Sequence, residues 1–325
     1  MATSIRVKLI GKAQSVRAAG ALAATIALTA CGANAPDEQS EDSVGSTKQL
    51  LSAPDADYVN TPVGKVHKTC VREATGNEAV DFAPCRYKHK LDFAKLRGAP
   101  SNAKSVQGGQ APTVNGWVEN SSRNAPAGSW FSAAYSAWYV PNNPSSQSSQ
   151  LVYYFPGFQN TSGTLSIIQP VLQWGNNGWF GGNYWSIASW YVDVNGVAVY
   201  STPKTTTSGN IIDGSMVASS CTIGGSCTWN ITTTVRGTAT TTTLTRTPGL
   251  VYTWAAPAAL EAYNLTACNQ YPNNTGVNVS TNLYHGAAYT YLSSAWSSTV
   301  NSPTPSCHYG ATNSPNPGTT LLSHW

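Results

Sequence analysis

The chain has 325 residues, enough for one large or two ordinary domains. Only 10% of them are charged, whereas Gly, Pro and aromatic residues are abundant, a composition typical of an all-β protein with many short strands and turns. The positive charge is concentrated in residues 61–110, since the chain from residue 111 onward has four Lys/Arg and four Asp/Glu. Nucleic-acid binding needs a clustered basic face, so this composition argues against a nucleic acid as partner of the main domain.

The first 31 residues have the pattern of a bacterial export signal. Residues 1–17 carry four basic side chains and no acidic one, and residues 18–30 form an apolar run too short for a permanent transmembrane helix. The quartet ending in Cys31, Leu-Thr-Ala-Cys, resembles a lipobox, which implies removal of residues 1–30 and lipid attachment to Cys31. The alternative is an ordinary signal that contains a cysteine. We therefore expect an exported lipoprotein of the cell envelope or surface, held to a membrane by this lipid.

The next two segments differ from the rest of the chain. Residues 31–60 are polar and acidic, which predicts a flexible tether. Residues 61–110 are basic, contain no Trp and end in a Ser/Gly/Gln-rich loop. They are interpreted as a small disulfide-linked pro-segment or cap with a linker, or else as an N-terminal extension of the same domain. Residues 111–325 would then form the main domain, expected to be monomeric.

Cysteine usage agrees with export. Apart from Cys31 the chain has six cysteines, an even number after a secretory signal. Nearest-neighbour pairing, one of fifteen connectivities, predicts the disulfides Cys70–Cys85, Cys221–Cys227 and Cys268–Cys307. The cysteine and histidine spacings do not match those of structural zinc sites, and we expect neither a metal nor another cofactor.

The main domain shows the alternation of β-branched and aromatic residues that predicts strands. One short helix is predicted at residues 257–263, and Asn195-Gly196 predicts a tight hairpin turn. About ten strands with little helix predict an all-β, two-sheet antiparallel jelly-roll sandwich. The predicted strands are 129–140, 150–155, 164–174, 184–194, 197–201, 210–218, 228–235, 238–247, 252–255 and 287–295.

Four carboxylates in the main domain are candidates for chemistry. Asp213 is interpreted as a turn residue, Asp193 as shaping or solubilising the hairpin, and Glu119 as leading into a loop. Glu261 stands in an apolar stretch, where lost hydration would raise its pKa and suit it to general acid/base catalysis. The alternative is a glutamate on the exposed face of an edge strand.

Two glutamines lie four residues apart in a predicted strand, Ile-Ile-Gln-Pro-Val-Leu-Gln-Trp, residues 167–174. The period of two along a strand puts Gln169 and Gln173 on one face.

The order of these features resembles the glutamic peptidases called eqolisins over about a third of the chain. It begins with the Ile-Ile-Gln strand and continues with the Trp-rich strand at residues 185–191, Ser-Gly-Asn-Ile-Ile-Asp-Gly at 208–214, a Thr-rich hairpin, and Leu-Glu-Ala-Tyr at 260–263. The resemblance implies a concanavalin-like sandwich made with a pro-segment and acting at acid pH. It matches Gln169 and Glu261 to that family's catalytic pair. Neprosin-like glutamic peptidases are a more distant likeness.

The chain departs from the eqolisin pattern at three points. Pro170-Val171 stands where Thr-Gly is usual, Ala258 stands where a Trp precedes the catalytic glutamate, and Gln173 shares the face of Gln169. The match therefore does not decide whether Gln169 or Gln173 corresponds to the catalytic glutamine of that family.

Under the peptidase hypothesis the substrate is a polypeptide, bound with help from Gln173, Trp174, Trp185 and Trp190. Two other classes compete with it. One is a non-catalytic glycan-binding protein, in which the aromatic loop at residues 174–185 stacks on sugar rings. The other is a structural envelope lipoprotein with the same sandwich.

Overall fold

A computed structural model describes residues 57–80, 85, 114–161, 166–222, 226–272, 276–293, 295–315 and 318–324. Within these ranges we find strands, turns and two short 3₁₀ helices, at Lys68–Cys70 and Cys268–Gln270, but no α-helix. In chain order the strands are β1 (Tyr58–Thr61), β2 (Gly64–His67), β3 (Val71–Glu73), β4 (Val114–Asn124), β5 (Phe131–Tyr139), β6 (Leu151–Gln159), β7 (Ile167–Trp174), β8 (Trp185–Val192), β9 (Ala198–Tyr200), β10 (Lys204–Thr206), β11 (Ile211–Thr222), β12 (Ser226–Val235), β13 (Thr241–Arg246), β14 (Trp254–Leu265), β15 (Val277–His285), β16 (Thr290–Tyr291), β17 (Ser297–Val300), β18 (Gly310–Pro315) and β19 (Gly318–Ser323).

Two large sheets pack face to face. The nine-stranded sheet has the order β17-β4-β14-β6-β7-β8-β9-β3, with β10 also paired to β8, and the eight-stranded sheet has the order β13-β12-β11-β5-β15-β19-β18, with β16 paired to β15. Side chains from both sheets fill the space between them; Phe131 and Phe158, for example, stack with ring centroids 5.0 Å apart. The predicted all-β antiparallel two-sheet sandwich is therefore confirmed.

The N-terminal segment covers the outer face of the nine-stranded sheet, the face turned away from the eight-stranded one. Strands β1 and β2 form a hairpin whose Val59, Val63 and Val66 are buried with Tyr153 and Trp190 of that face. Strand β3 then pairs in parallel with β9 and so extends the sheet itself. The segment both caps the sheet and contributes a strand to it.

Several element predictions were wrong in detail. Residues 257–263, predicted as a helix, lie inside β14, where Pro257 falls at a bulge between Ala256 and Ala259 and so interrupts no regular pairing. The strand predicted at 287–295 is reduced to Thr290–Tyr291. The Asn195-Gly196 hairpin exists, but its loop is five residues long, 193–197. Strand β1 begins at Tyr58, inside the range predicted as tether.

All three predicted disulfides are present: Cys70–Cys85, Cys221–Cys227 and Cys268–Cys307. The signal, Cys31, most of the tether and the linker before residue 114 lie outside the described residues. A search of the described part of the chain for a helix able to cross a membrane found none.

Candidate active site

The polar side chains of interest lie on the outer face of the nine-stranded sheet. In β14, Leu260 and Ala262 point between the two sheets, so Glu261 and Tyr263 point outward. In β7 the same alternation places Gln169 and Gln173 outward, as predicted from the period of two. All four side chains are buried: the β1–β2 hairpin contacts Gln169 and Tyr263, and the loop after β7 covers Gln173.

Strand pairing places the two glutamines differently with respect to Glu261. Glu261 is opposite Tyr153 of β6, which is opposite Gln173 of β7, so these three form one row across the sheet. Gln169 lies four residues before Gln173 in β7, next to Gly157 of β6. The glutamine in register with Glu261 is therefore Gln173, with a tyrosine between them.

Gln173, however, is engaged by the loop that follows its own strand. Its Nε2 donates to the carbonyls of Gly175 (2.8 Å) and Phe180 (3.2 Å), and its Oε1 accepts from Asn177 Nδ2 (3.2 Å). These bonds fix the conformation of the 175–180 loop. The Gln173 amide is thus a structural anchor of that loop.

Gln169 is held over a gap in the neighbouring strand. Gly157 has no side chain, and a Cβ built there would lie 3.2 Å from Gln169 Cγ. The Gln169 side chain can therefore lie over β6, the strand between β7 and β14. Its Nε2 donates to the Pro62 carbonyl of the hairpin (3.2 Å), while its Oε1 has no hydrogen-bond partner among the described residues.

Glu261 is connected to the same hairpin through Tyr263. The Tyr263 hydroxyl is hydrogen-bonded to Glu261 Oε1 and lies 3.3 Å from the Thr61 carbonyl, the residue before Pro62. Glu261 Oε2 has no hydrogen-bond partner within the described part of the chain. Burial raises the pKa of Glu261 to about 8, and the Tyr263 bond opposes this rise. The hairpin therefore connects the two groups: the Thr61 carbonyl lies next to the Tyr263 hydroxyl, and the adjacent Pro62 carbonyl accepts from the Gln169 amide.

The predicted aromatic residues divide between the two faces of the sheet. Trp190 lies on the outer face, opposite Gln169 on the adjacent strand, with its ring 5.0 Å from that of Tyr200. Trp174 and Trp185 point the other way and pack against each other between the sheets, 5.3 Å apart. The structure therefore brings Trp190 to the candidate site and places Trp174 and Trp185 away from it.

The remaining carboxylates do not join the site. Asp213 is not in a turn but within β11, where it forms a bidentate ion pair with Arg236, the residue after β12. Asp193 shapes its hairpin loop as predicted, accepting from the backbone N–H groups of Asn195 and Val197, both at 2.8 Å. Glu119 does not lead into a loop; it is a buried residue within β4.

Glu119 belongs to a second buried polar cluster at the C-terminal end of the chain. Its Oε2 accepts from the Gly310 N–H (2.7 Å), and its Oε1 lies 3.9 Å from His324 Nδ1. His324 Nε2 is hydrogen-bonded to the Tyr154 hydroxyl (3.1 Å). Burial raises the pKa of Glu119 to about 9 and lowers the pKa of His324 to about 4, so both groups are neutral at pH 7.

Sequence reasoning missed three residues of the candidate site: Tyr153, Gly157 and Tyr263. Tyr263 had a usable signal, since a residue two positions after Glu261 in a strand shares its face. The other two are next to the site only because of how β6 pairs with β7 and β14.

The position of Gln169 gives a first testable expectation. Gly157→Ala needs no unusual backbone angle, but its methyl group would press on Gln169 Cγ at 3.2 Å. We expect this substitution to displace the Gln169 amide from the Pro62 carbonyl and to lower any activity that depends on Gln169 by about tenfold or more, because misplacing a reacting group by about 1 Å is costly. Activity, in protein whose β1–β2 hairpin has been displaced, and the unfolding midpoint should be measured together: a large loss of stability with unchanged specific activity would contradict this role of Gly157.

No group of three or more His, Cys, Asp or Glu side chains that could hold a metal ion occurs in the described ranges. The protein is thus an all-β sandwich. The outer face of its nine-stranded sheet carries Glu261 and Gln169, which are buried beneath the N-terminal β1–β2 hairpin.

The chain matches no protein-family model and no curated protein sequence. Among solved structures it is similar to SCP-B, a member of the eqolisin family of peptidases, in a complex with the tripeptide Ala-Ile-His, with a TM-score of 0.43, 16% identity, and coverage of 64% of this chain and 98% of that one. It is also similar to scytalido-glutamic peptidase with a transition-state analog inhibitor, with a TM-score of 0.43, 14% identity, and coverage of 66% and 99%. At this level of similarity neither structure assigns a residue of this chain.

Proposed function

We propose that the chain is a glutamic-type endopeptidase that hydrolyses peptide bonds at acid pH through Glu261 and Gln169, and that its own β1–β2 hairpin keeps it inactive. The observation that carries this proposal is the pair of contacts to the hairpin main chain. The Gln169 amide donates to one peptide carbonyl, and the tyrosine bonded to Glu261 contacts the carbonyl before it. A polypeptide therefore already occupies the surface on which a substrate would bind.

The chemistry needs only groups of the chain and water. Glu261 as a carboxylate takes a proton from a water molecule, whose oxygen attacks the scissile carbonyl carbon. The Gln169 N–H donates to the carbonyl oxygen as it becomes negative. The proton then passes from Glu261 to the leaving nitrogen as the C–N bond breaks, which restores the carboxylate and consumes one water per bond.

The hairpin explains why this chemistry would be blocked in the intact chain. With the hairpin in place, the raised pKa of Glu261, about 8, keeps its carboxyl protonated at acid and neutral pH, so it cannot accept a proton from water. Release of the hairpin would let water reach Glu261 and bring its pKa back toward the ordinary 4.5. The base form would then exist at the acid pH proposed for the enzyme.

Expelling the hairpin is expected to activate the protein. Val63 is buried at the hairpin turn, and Val63→Arg would place a charge in an apolar site, which costs several kcal/mol. We expect Val63→Arg to raise the hydrolysis of an unfolded protein at pH 4 by at least about tenfold over the unchanged chain. Lys65→Arg, at an exposed position of the same hairpin, is the matched control and should change nothing. Full activity of the intact, unchanged chain would rule out inhibition by the hairpin.

Export, lipid attachment at Cys31 and a position in the cell envelope remain part of the proposal and rest on residues 1–31. In this arrangement a cut between Cys85 and β4 would remove the covalent link between strands β4–β19 and the lipid anchor. The glycan-binding alternative depended on the aromatic loop at residues 174–185, and two of its three tryptophans, Trp174 and Trp185, are buried between the sheets.

A further inference from the structure

Three successive carbonyls of the hairpin are each contacted by a side chain from a different strand. The Tyr153 hydroxyl of β6 donates to the Asn60 carbonyl (2.9 Å). The Tyr263 hydroxyl of β14 shares its one proton between Glu261 Oε1 and the Thr61 carbonyl (3.3 Å), and Gln169 Nε2 of β7 donates to the Pro62 carbonyl (3.2 Å). The donors therefore follow the main chain residue by residue.

These donors contact the hairpin through its carbonyl groups. Main-chain carbonyls are common to every polypeptide, so donors arranged along them recognise a polypeptide main chain whatever its side chains. The third carbonyl belongs to a proline, which has no N–H of its own. A surface that recognises carbonyls in this way can accept a proline at that position.

The two tyrosines are themselves held in place. Tyr153 and Tyr263 are fully buried, and their rings meet edge to face with centroids 6.3 Å apart. The Asn177 side chain is hydrogen-bonded to the Tyr153 hydroxyl and to Gln173 Oε1. Gln173 and its loop therefore support Tyr153, the tyrosine that contacts the Asn60 carbonyl.

From this geometry we infer that Tyr153 and Tyr263, together with Gln169, form a carbonyl cradle that binds the main chain of an unfolded polypeptide substrate across strands β6, β14 and β7. This inference rests on the proposed function for the catalytic step, but the binding of a peptide does not depend on hydrolysis. Tyr263 has a second role as a positioning residue, because its hydroxyl also bonds Glu261.

The hairpin is bound in the cradle without being a productive substrate. Thr61 and Gly64 pair with each other, so the chain turns back after Pro62 instead of continuing along the sheet. A substrate that stays extended past the third carbonyl would lack this turn.

The test measures peptide binding and catalysis separately in the full chain carrying Val63→Arg. The binding probe is a fluorescein-labelled peptide with the sequence of residues 57–67, titrated into protein that also carries Glu261→Gln so that no hydrolysis intervenes. Tyr153→Phe is expected to weaken the affinity for this peptide ~3–10-fold, as expected for one lost hydrogen bond. Tyr154→Phe is the matched control, since Tyr154 is the next residue in β6 but points between the sheets toward His324, and it should leave the affinity unchanged.

Kinetics on the active Val63→Arg protein give the second readout. Tyr153→Phe should raise KM ~3–10-fold with kcat within about twofold. Tyr263→Phe should lower kcat as well and shift the acid limb of the kcat/KM profile to higher pH, because loss of its hydroxyl removes the hydrogen bond that lowers the pKa of Glu261.

The results of these two experiments test the carbonyl cradle and the peptidase activity separately. Hydrolysis with KM and peptide affinity unaffected by Tyr153→Phe would overturn the cradle and leave the peptidase proposal standing. Tyrosine-dependent peptide binding without hydrolysis in any variant would support the cradle and overturn the peptidase proposal. If the labelled peptide cannot displace the hairpin of Val63→Arg, the double variant Val59→Arg/Val63→Arg takes its place, and failure of that variant to bind the peptide overturns the cradle.

Discussion

Glu261→Gln in the hairpin-released Val63→Arg protein is expected to lower kcat for the hydrolysis of an unfolded protein about 10³-fold at pH 4. Glutamine has nearly the same shape as glutamate but cannot take a proton from water, and general acid/base catalysis of this kind contributes about 10²–10⁴-fold. The measurement is the initial rate of hydrolysis between about pH 2 and pH 8, which brackets the ordinary and raised pKa values of a carboxyl group.

The chain offers a closely matched control for this experiment. Glu119 is also fully buried in the nine-stranded sheet and also has a raised pKa, but it points between the sheets. Glu119→Gln should therefore leave kcat within about twofold, while Gln169→Ala should lower it by about 10²–10³-fold, as does loss of an oxyanion donor. Equal rates for Glu261→Gln and its parent would exclude Glu261 as the base and, with it, the peptidase proposed above.

The sequence predicts the sandwich well because its signals are local. Alternation of apolar and polar residues needs only a few neighbours, and it placed β5, β7, β8 and β12 to within a few residues. The disulfides were predictable for the same reason, as each joins the nearest available cysteine. Strand β14 was partly missed because an alanine-rich stretch with one Pro favours helix locally, and only its pairing with β4 and β6 makes it a strand.

The candidate site depends on strand pairing, which local pattern does not specify. The sequence places Gln169 and Gln173 on one face but cannot tell which one Glu261 faces, since that depends on the register of β14 against β6 and β6 against β7. The burial of Glu119 is similarly non-local, because the Gly310 N–H that bonds it comes from β18, 191 residues further along the chain. The burial of Glu261, by contrast, is a local expectation that the structure bears out.

Three buried titratable groups should make the stability of the intact chain depend strongly on pH. A carboxyl whose folded pKa is raised binds its proton more tightly when folded, so it contributes stability below its unfolded pKa and loses it as pH rises toward the folded value. This applies to Glu261 and Glu119, whose pKa values rise from 4.5 to about 8 and about 9. His324 acts in the opposite sense: its pKa falls from 6.5 to about 4, so its contribution is present above pH 6.5 and is lost toward pH 4.

The two carboxyls are expected to dominate, making the intact chain about 4 kcal/mol more stable at pH 4.5 than at pH 7. Each carboxyl contributes about 3 kcal/mol over this range at 1.36 kcal/mol per pH unit, and His324 opposes them by about 2 kcal/mol. Urea unfolding at the two pH values measures the difference directly. Glu119→Gln should raise the free energy of unfolding at pH 7 by up to about 3 kcal/mol and leave it nearly unchanged at pH 4.5, because an amide keeps the hydrogen bond from Gly310 without carrying a charge. A chain that loses stability as the pH falls from 7 to 4.5 would show instead that these carboxyls are ionised when folded, and that the hairpin does not keep Glu261 from acting as a base.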